Sequence, residues 1–381
     1  MLVNYPIQAN VELTTHCNSK CLDCNRYIKG TSIINPNIDL GKKGMISLTA
    51  IDNLIADPEL LRSINLTGTY GDGAWHPKFF EILEKFPEGI QLVMETNGGM
   101  KDTEFWKKFG SIVKEKFTKS SHVVFGIDGV DNESHQKYRR TVDFNKVIEN
   151  AQAFMSSGAK ARWSLIEFPH NTHLISTAES MAKHLGFDRF KIRRSRLRHR
   201  ILDKKDINEQ IPEIGEFNLT DSQSKAIEDA LKSGKKLMAI GESVKSRNSS
   251  FDKEKRREYY NTTEVKCEWS EKQMISVDYT SRVWMCCNFS TFYHAQPGYV
   301  GEQLSSEQIR NRENLSWYED QYDKHWNLLE HNTLKDILNH RFYKQDLEKS
   351  IKNNLDTTEF PRIERCAKHC GAMSRSIDKS L

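Results

Sequence analysis

His16-Cys17-Asn18-Ser19-Lys20-Cys21-Leu22-Asp23-Cys24-Asn25 places three cysteines within eight residues, spaced C-x3-C-x2-C. The loop follows an apolar–polar run, Val11-Glu12-Leu13-Thr14, which reads as part of a first strand over residues 11–15. Three thiolates on one short loop can hold three corners of a single centre. Soft sulfur ligands at that density select an iron–sulfur cluster or zinc. A structural zinc site takes four protein ligands, usually as two close pairs. Three nearby ligands leave a position open for a cofactor or substrate. The same spacing also suits packing cysteines or a zinc site, and the rest of the chain must separate these readings.

Length and composition set the bounds. A chain of 381 residues predicts two or three domains with a real core. A net charge of +4 is near balance and does not mark the whole chain as a nucleic-acid binder. No run approaches the 18 or so apolar residues of a membrane span, and no basic-plus-apolar signal opens the chain. A reducing cytoplasm is expected, so the eight cysteines read as ligands rather than disulfides. Three lie in the opening loop, five lie after residue 266 and none falls between.

Residues 1–200 alternate strand-like and helix-like runs. Strands are predicted at 11–15, 63–69, 91–95, 122–127, 162–168 and 189–193, with helices at 47–61, 79–86, 104–116, 145–156 and 174–185. Ser47 is the expected N-cap of the first helix. This alternation argues for βαβ units and a parallel sheet, with functional residues on loops at the C-terminal ends of strands.

The cysteine loop after the first strand resembles the radical S-adenosylmethionine (radical SAM) superfamily. The resemblance implies a partial (β/α)6 barrel. It implies a 4Fe–4S cluster on Cys17, Cys21 and Cys24, with the fourth iron chelated by the amine and carboxylate of SAM. One electron would then cleave SAM to methionine and a 5′-deoxyadenosyl radical that abstracts hydrogen from substrate. The residue before the third cysteine, usually aromatic in the family, is Asp23 here. Gly68-Thr69-Tyr70-Gly71-Asp72-Gly73-Ala74-Trp75-His76-Pro77 resembles the family's Gly-Gly-Glu turn, with Gly71-Asp72 at its Gly-Glu and Tyr70 in place of the first glycine. The resemblance puts the SAM amine near this backbone, where glycine leaves room for close approach. Thr96-Asn97-Gly98 and Gly126-Ile127-Asp128-Gly129 resemble two further strand ends of the family, although Gly126 replaces a serine. Arg139 is a candidate for the SAM carboxylate and Ser164 for the ribose. Tyr70, Trp75, His76, Glu167 and His170 fall on or near the same loops.

The sixth strand runs into Arg189-Phe190-Lys191-Ile192-Arg193-Arg194-Ser195-Arg196-Leu197-Arg198-His199-Arg200, the most basic stretch of the chain. In extended form Arg194, Arg196, Arg198 and Arg200 share one face. Arg194 and Arg196 are the candidate contacts for an anionic substrate. Residues 201–265 read as a partly helical connector, with a helix from a Thr220-Asp221 cap to Leu231 and a lid-like polar stretch over 242–263.

Cys267, Cys286-Cys287, Cys366 and Cys370 form the second group. Two short strands with a turn at Asp278–Arg282 would bring Cys267 and Cys286 together. Residues 266–381 resemble the twitch domain, the shortened SPASM domain, a small α+β module with one auxiliary 4Fe–4S cluster. Cys267, Cys286, Cys366 and Cys370 would be its ligands. Ser281 stands where the pattern has glycine, which favours Cys286 over Cys287. Four-thiolate zinc is the alternative.

The expectation is a cytoplasmic radical SAM enzyme with SAM and two 4Fe–4S clusters, supplied with electrons by a flavodoxin- or ferredoxin-like donor. A chain that starts directly at the barrel leaves no room for a leader-binding domain. That favours a small or anionic substrate, with a peptide- or protein-modifying maturase as the alternative. A zinc- or cluster-bearing nucleic-acid-binding protein using 189–200 is the reading from another class. Neither a membrane nor a nucleic acid is the expected partner.

Overall fold

The computed structural model describes residues 5–21, 24–27, 34, 38, 44–194, 253–293 and 314–371. These fall into two compact units. Described residues within Met1–Asn10, Ile46–Arg62 and Asp229–Leu381 make one, and those within Val11–Met45 and Ser63–Glu228 make the other. The first strand and first helix are thus grouped with the C-terminal half. The fold is α/β, as the alternation predicts. The helix expected over 220–231 lies outside the described residues.

The second unit is a run of parallel strands: β2 (Leu61–Leu66), β3 (Gln91–Thr96), β4 (His122–Gly126), β5 (Lys160–Glu167) and β6 (Arg189–Arg194). Each pairs with its neighbour in sequence order. Helices α2 (Phe79–Lys85), α3 (Thr103–Lys116), α4 (Asn132–Gln136), α5 (Phe144–Met155) and α6 (Ile175–His184) lie between them. Asp102, Asp131 and Asp143 accept from backbone N–H groups three residues on, so each of α3, α4 and α5 opens on an aspartate cap.

Two faces of this sheet differ. Leu92, Met94, Val123, Phe125, Ala161 and Trp163 are buried. Phe125 meets Trp106 of α3 at 5.2 Å and Phe154 of α5 at 6.1 Å between ring centroids. That face is the core, covered by helices. On the alternate positions Val93, Glu95, Val124 and Ile166 remain half-exposed. Period-two alternation therefore sorts a packed outer face from an open inner one.

The other unit contains β1 (Ile7–Val11) as far as Asn10, α1 (Leu48–Leu54) and the antiparallel hairpin of β7 (Met274–Val277) and β8 (Val283–Trp284). Gln8 N donates to Gln273 O at 2.9 Å, joining β1 to the approach to β7. Asp278, buried in the turn, accepts from Thr280 N (2.9 Å), Arg282 N (3.2 Å) and Trp284 Nε1 (2.7 Å). Ser281 adopts φ +67° there, a left-handed conformation in which glycine is the low-cost residue.

Three boundaries depart from expectation, one of them the second strand, predicted over 63–69 and found at Leu61–Leu66. The first strand is Ile7–Val11 rather than 11–15, because Thr14 and Thr15 turn away to bridge Met45 and Gly44. The helix expected over 47–61 ends at Leu54, and Pro58 opens a separate 3-10 turn, Pro58–Leu60. Pro58 has no N–H to continue the ladder. Ser47 is the N-cap, accepting from Ala50 N. Lys253–Thr262, part of the lid-like stretch, is helical. Phe125→Ala is expected to lower unfolding free energy by about 3–5 kcal/mol, since the vacated ring sits among aromatics that cannot collapse into it; denaturant titration measures it, and a loss below about 1 kcal/mol would contradict this packing.

Candidate functional site

The cysteine loop belongs to the parallel unit. Leu22 and Asp23 lie outside the described residues, while Cys17, Cys21 and Cys24 are described. Cys24 N donates to Cys21 O and Tyr27 N to Cys24 O, both at 3.1 Å. Tyr27 Oη donates to Ser19 O at 2.8 Å, closing the loop on itself. The sulfurs lie among donors. Cys17 Sγ accepts from Ser19 N (3.4 Å) and Asn97 Nδ2 (3.5 Å), and Cys24 Sγ accepts from Arg26 N (3.4 Å). Ser19 Oγ is 2.9 Å from Cys21 Sγ. Cys21 packs with Tyr138 and Phe168, and Cys24 and Ile166 border that cluster.

Burial pushes the thiols of Cys17 and Cys21 well above their ordinary range. Buried thiolates need a compensating cation. A donor set of three thiols with N–H groups on the sulfurs fits an iron–sulfur cluster. Among the described residues no group of three or more His, Cys, Asp or Glu side chains is drawn together as a metal site.

The strand-end loops close around this loop. Asp72 N donates to His16 O at 2.7 Å. A Cβ on Gly71 would lie 2.0 Å from Thr14 O, so only glycine fits there. The Asp72 carboxylate is not directed outward. It accepts from Thr96 Oγ1 (2.8 Å), Asn97 N (2.8 Å), Asn97 Nδ2 (2.9 Å) and Ala74 N (3.2 Å). Asp72 therefore ties the β2 loop to the β3 loop, with burial raising its pKa against those bonds. Asn97 Nδ2 also reaches Asn18 Oδ1 at 2.9 Å.

Asp128 and Arg139 pair through Nε and Oδ2 at 2.6 Å. Asp128 Oδ1 accepts from Ile166 N at 2.5 Å. The guanidinium lies over the backbone of β4: a Cβ on Gly126 would fall 2.3 Å from Arg139 Nη2. The glycine that replaces the family's serine makes room for this side chain. Burial raises the pKa of both Cys21 and Asp72, and the charge of Arg139 opposes the rise in each. Ser164 pairs in register with Gly126 and Lys191 on the inner face.

Of the remaining candidates, Trp75 stacks on His16 with centroids 5.9 Å apart, and His170 stacks on Phe168 at 5.4 Å. His76 Nδ1 accepts from Lys78 N, and Glu167 Oε1 from Thr172 Oγ1. Tyr70 N donates to Glu12 Oε1 at 2.5 Å. Arg196 and the side chain of Arg194 lie outside the described residues. Arg193 of β6 holds Glu95 of β3 in a two-pronged ion pair, Nη2–Oε1 2.5 Å and Nη1–Oε2 3.3 Å. Sequence reading missed both. Their alternate-position placement on two strands was visible, but the side chains face each other only once the sheet has formed.

The second cysteine group lies in the hairpin unit. Lys266 N donates to Cys370 O at 3.0 Å, joining the segment before Cys267 to the last cysteine. Cys370 and Cys267 share a hydrogen bond, so Cys267 is lowered to about 7 while Cys370 is pushed up. Cys370 also feels the charge of Cys366 and Cys286, and burial pushes Cys286 up to about 12. These four thiols form one electrostatic group. Cys287 opens the helix Cys287–Tyr293. Arg362, another residue the sequence did not single out, is buried and donates to Asn353 O (2.5 Å), Tyr260 O (2.7 Å), Thr263 O (2.9 Å) and Ile351 O (3.0 Å). It fastens the approach to Cys366 onto helix Lys253–Thr262, which precedes Cys267.

No protein-family model and no curated protein matches the chain. Among solved structures it is similar to SuiB of Streptococcus suis (13% identity, TM-score 0.44, covering 80% of this chain), and it spans 64% of SuiB's length. It is also similar to anSMEcpe with bound AdoMet (14% identity, TM-score 0.46, covering 98% of this chain and 99% of that one). Another similar structure is SuiB bound to S-adenosylmethionine, at 14% identity and TM-score 0.46, covering 83% of this chain and 66% of that one.

His135 offers a test of the Asp128 environment. Its ring is buried, Nδ1 accepts from Asp128 N at 3.2 Å, and Nε2 has no hydrogen-bond partner among the described residues. Burial first, then the charge of Arg139, lowers its pKa from 6.5 to about 4. The unfolded chain protonates this imidazole near 6.5, the folded chain only near 4, so stability is full above pH 6.5 and falls between the two. The gap is worth about 3 kcal/mol. His135→Gln, which keeps an acceptor for Asp128 N, is expected to flatten that acid limb in denaturant titrations; an unchanged limb contradicts the assignment.

Proposed function

We propose that this chain is a radical SAM enzyme. Cys17, Cys21 and Cys24 hold a 4Fe–4S cluster that, with SAM bound and one electron supplied, provides a 5′-deoxyadenosyl radical for hydrogen abstraction from substrate. The observation that carries this reading is the set of three thiols on one loop, Cys21 buried and Cys17 and Cys24 partly so, with N–H groups on the sulfurs of Cys17 and Cys24 and the Ser19 hydroxyl on that of Cys21.

The chain's own residues divide the remaining work. Gly71 and the backbone around it bring the β2 loop against Thr14 and give the SAM amine a close backbone approach. Asp72 holds that loop to Thr96 and Asn97 rather than contacting SAM itself. Asp128 orients Arg139, whose guanidinium suits the SAM carboxylate. Ser164 faces the ribose from the inner side of β5. The packed wall of Tyr138, Phe168 and Ile166 beside Cys21 and Cys24 keeps water from the reacting centre.

Cys267, Cys286, Cys366 and Cys370 hold an auxiliary 4Fe–4S cluster, with Cys286 rather than Cys287 as ligand. The burial of Cys286 and its electrostatic link to Cys267 and Cys370 support that choice. A flavodoxin- or ferredoxin-like protein of the cytoplasm supplies electrons. The accessible Glu95–Arg193 pair on the inner face supports a small, charged substrate over a peptide. A peptide or protein substrate is the second reading. It is also the one suggested by the titles of two similar structures, SuiB bound to precursor peptide SuiA and anSMEcpe with the Cp18Cys peptide.

Anaerobic reconstitution tests the assignment. About eight irons per chain are expected, with 5′-deoxyadenosine released from SAM by dithionite. Cys17→Ala/Cys21→Ala/Cys24→Ala should lose about four irons and all release. Zinc without iron, and no cleavage of SAM, would sink the proposal. Cys286→Ala should likewise lose about four irons while Cys287→Ala loses none; the reverse pattern, read by iron analysis, would exchange the two ligands.

A further inference from the structure

The inner face of the parallel unit carries a charged pair that the proposed SAM chemistry does not use. Glu95 stands on β3 and Arg193 on β6, with β4 and β5 between them. Three strand intervals on a flat sheet span roughly 14 Å, beyond the joint reach of side chains standing upright. Their contact at 2.5 Å therefore requires the sheet to curve towards its inner face. The inner positions of the intervening strands are Val124 and Gly126 on β4 and Arg162, Ser164 and Ile166 on β5, with Ile166 directly in register with Arg193. Both side chains stay accessible, at 39% and 40% exposure. Arg193 Nε is buried and has no hydrogen-bond partner among the described residues.

Charge balance limits what can enter there. A ligand bearing only a carboxylate would take Arg193 and strand Glu95. One bearing only an ammonium would take Glu95 and strand Arg193. Leaving either charge without a counter-charge is unfavourable, the more so beside the buried Nε of Arg193. A ligand with both charges on neighbouring atoms replaces one ion pair by two and strands nothing.

We propose that Glu95 and Arg193 form the head-group site for a free α-amino acid, whose carboxylate takes the guanidinium of Arg193 and whose ammonium takes the carboxylate of Glu95. This rests on the radical SAM reading and names its substrate class. The methionyl end of SAM carries the same two charges, so the test must separate the two sources.

Reconstituted protein with SAM present is dialysed against a mixture of the standard free amino acids, and separately against their N-acetyl amides. Retained molecules are identified by mass spectrometry. At least one free amino acid should be retained and no N-acetyl amide. Glu95→Gln and Arg193→Met should each weaken retention at least about tenfold, the loss of one charge-assisted contact. Glu95→Gln/Arg193→Met strands no charge, so it should fold, keep iron and SAM, and retain no amino acid. Retention of the amides, undiminished retention by the double variant, or no retained amino acid overturns the proposal. So does loss of SAM in the double variant, which would assign the pair to SAM. Failure of the radical reading appears separately, as no 5′-deoxyadenosine from the unsubstituted protein, because retention is read without turnover.

Discussion

The buried ion pair of Asp128 and Arg139 is the constraint around which the parallel unit's site is arranged. Burying a carboxylate is costly unless every lone pair finds a donor. Here Oδ2 faces Arg139 Nε and Oδ1 takes Ile166 N from the neighbouring strand. The backbone of Asp128 is held as well, its carbonyl by Asn171 Nδ2 and its N–H by His135 Nδ1. So fixed, the carboxylate holds a guanidinium over Gly126 and beside Cys21. A side chain at 126 and Arg139 in this position exclude each other. The glycine and the arginine are therefore two halves of one arrangement.

The same economy recurs at Asp72, where a buried carboxylate serves to fasten loops. Four donors converge on it from Thr96, Asn97 and Ala74. An aspartate is short enough to stay among its own loops, whereas a glutamate would project further. Beside it, the backbone at Gly71 is pressed against Thr14.

Much of this was legible beforehand, for identifiable reasons. Strands β3 to β6 and helices α3 and α5 carry strong apolar periodicity, and their expected bounds fall within a residue or two of those found. The first strand was misplaced because Val11-Glu12-Leu13-Thr14 alternates like a strand, although Thr14 and Thr15 serve a turn against Gly44 and Met45. The cysteine loop and the strand-end turns were readable as motifs, since their meaning lies in local spacing. Glu95–Arg193 and Arg362 were not. Each acts through contacts distant in sequence, and one charged residue on a strand gives no sign of which partner curvature will bring to it. Ser281 falls between these cases: its place in a glycine-like pattern was visible, and its φ of +67° gives the conformational reason.

The hairpin unit is fastened by similar means, with a buried aspartate shaping the turn before Cys286 and a buried arginine holding the segment before Cys366. On the function proposed above, the Cys17 loop carries a cluster to which SAM binds directly. Electron paramagnetic resonance of the dithionite-reduced Cys286→Ala/Cys370→Ala protein, recorded before and after SAM is added, isolates that loop. A cluster signal whose shape changes on adding SAM, and which vanishes when Cys21→Ala is introduced as well, is the predicted result. A signal indifferent to SAM, or none at all, would contradict the claim.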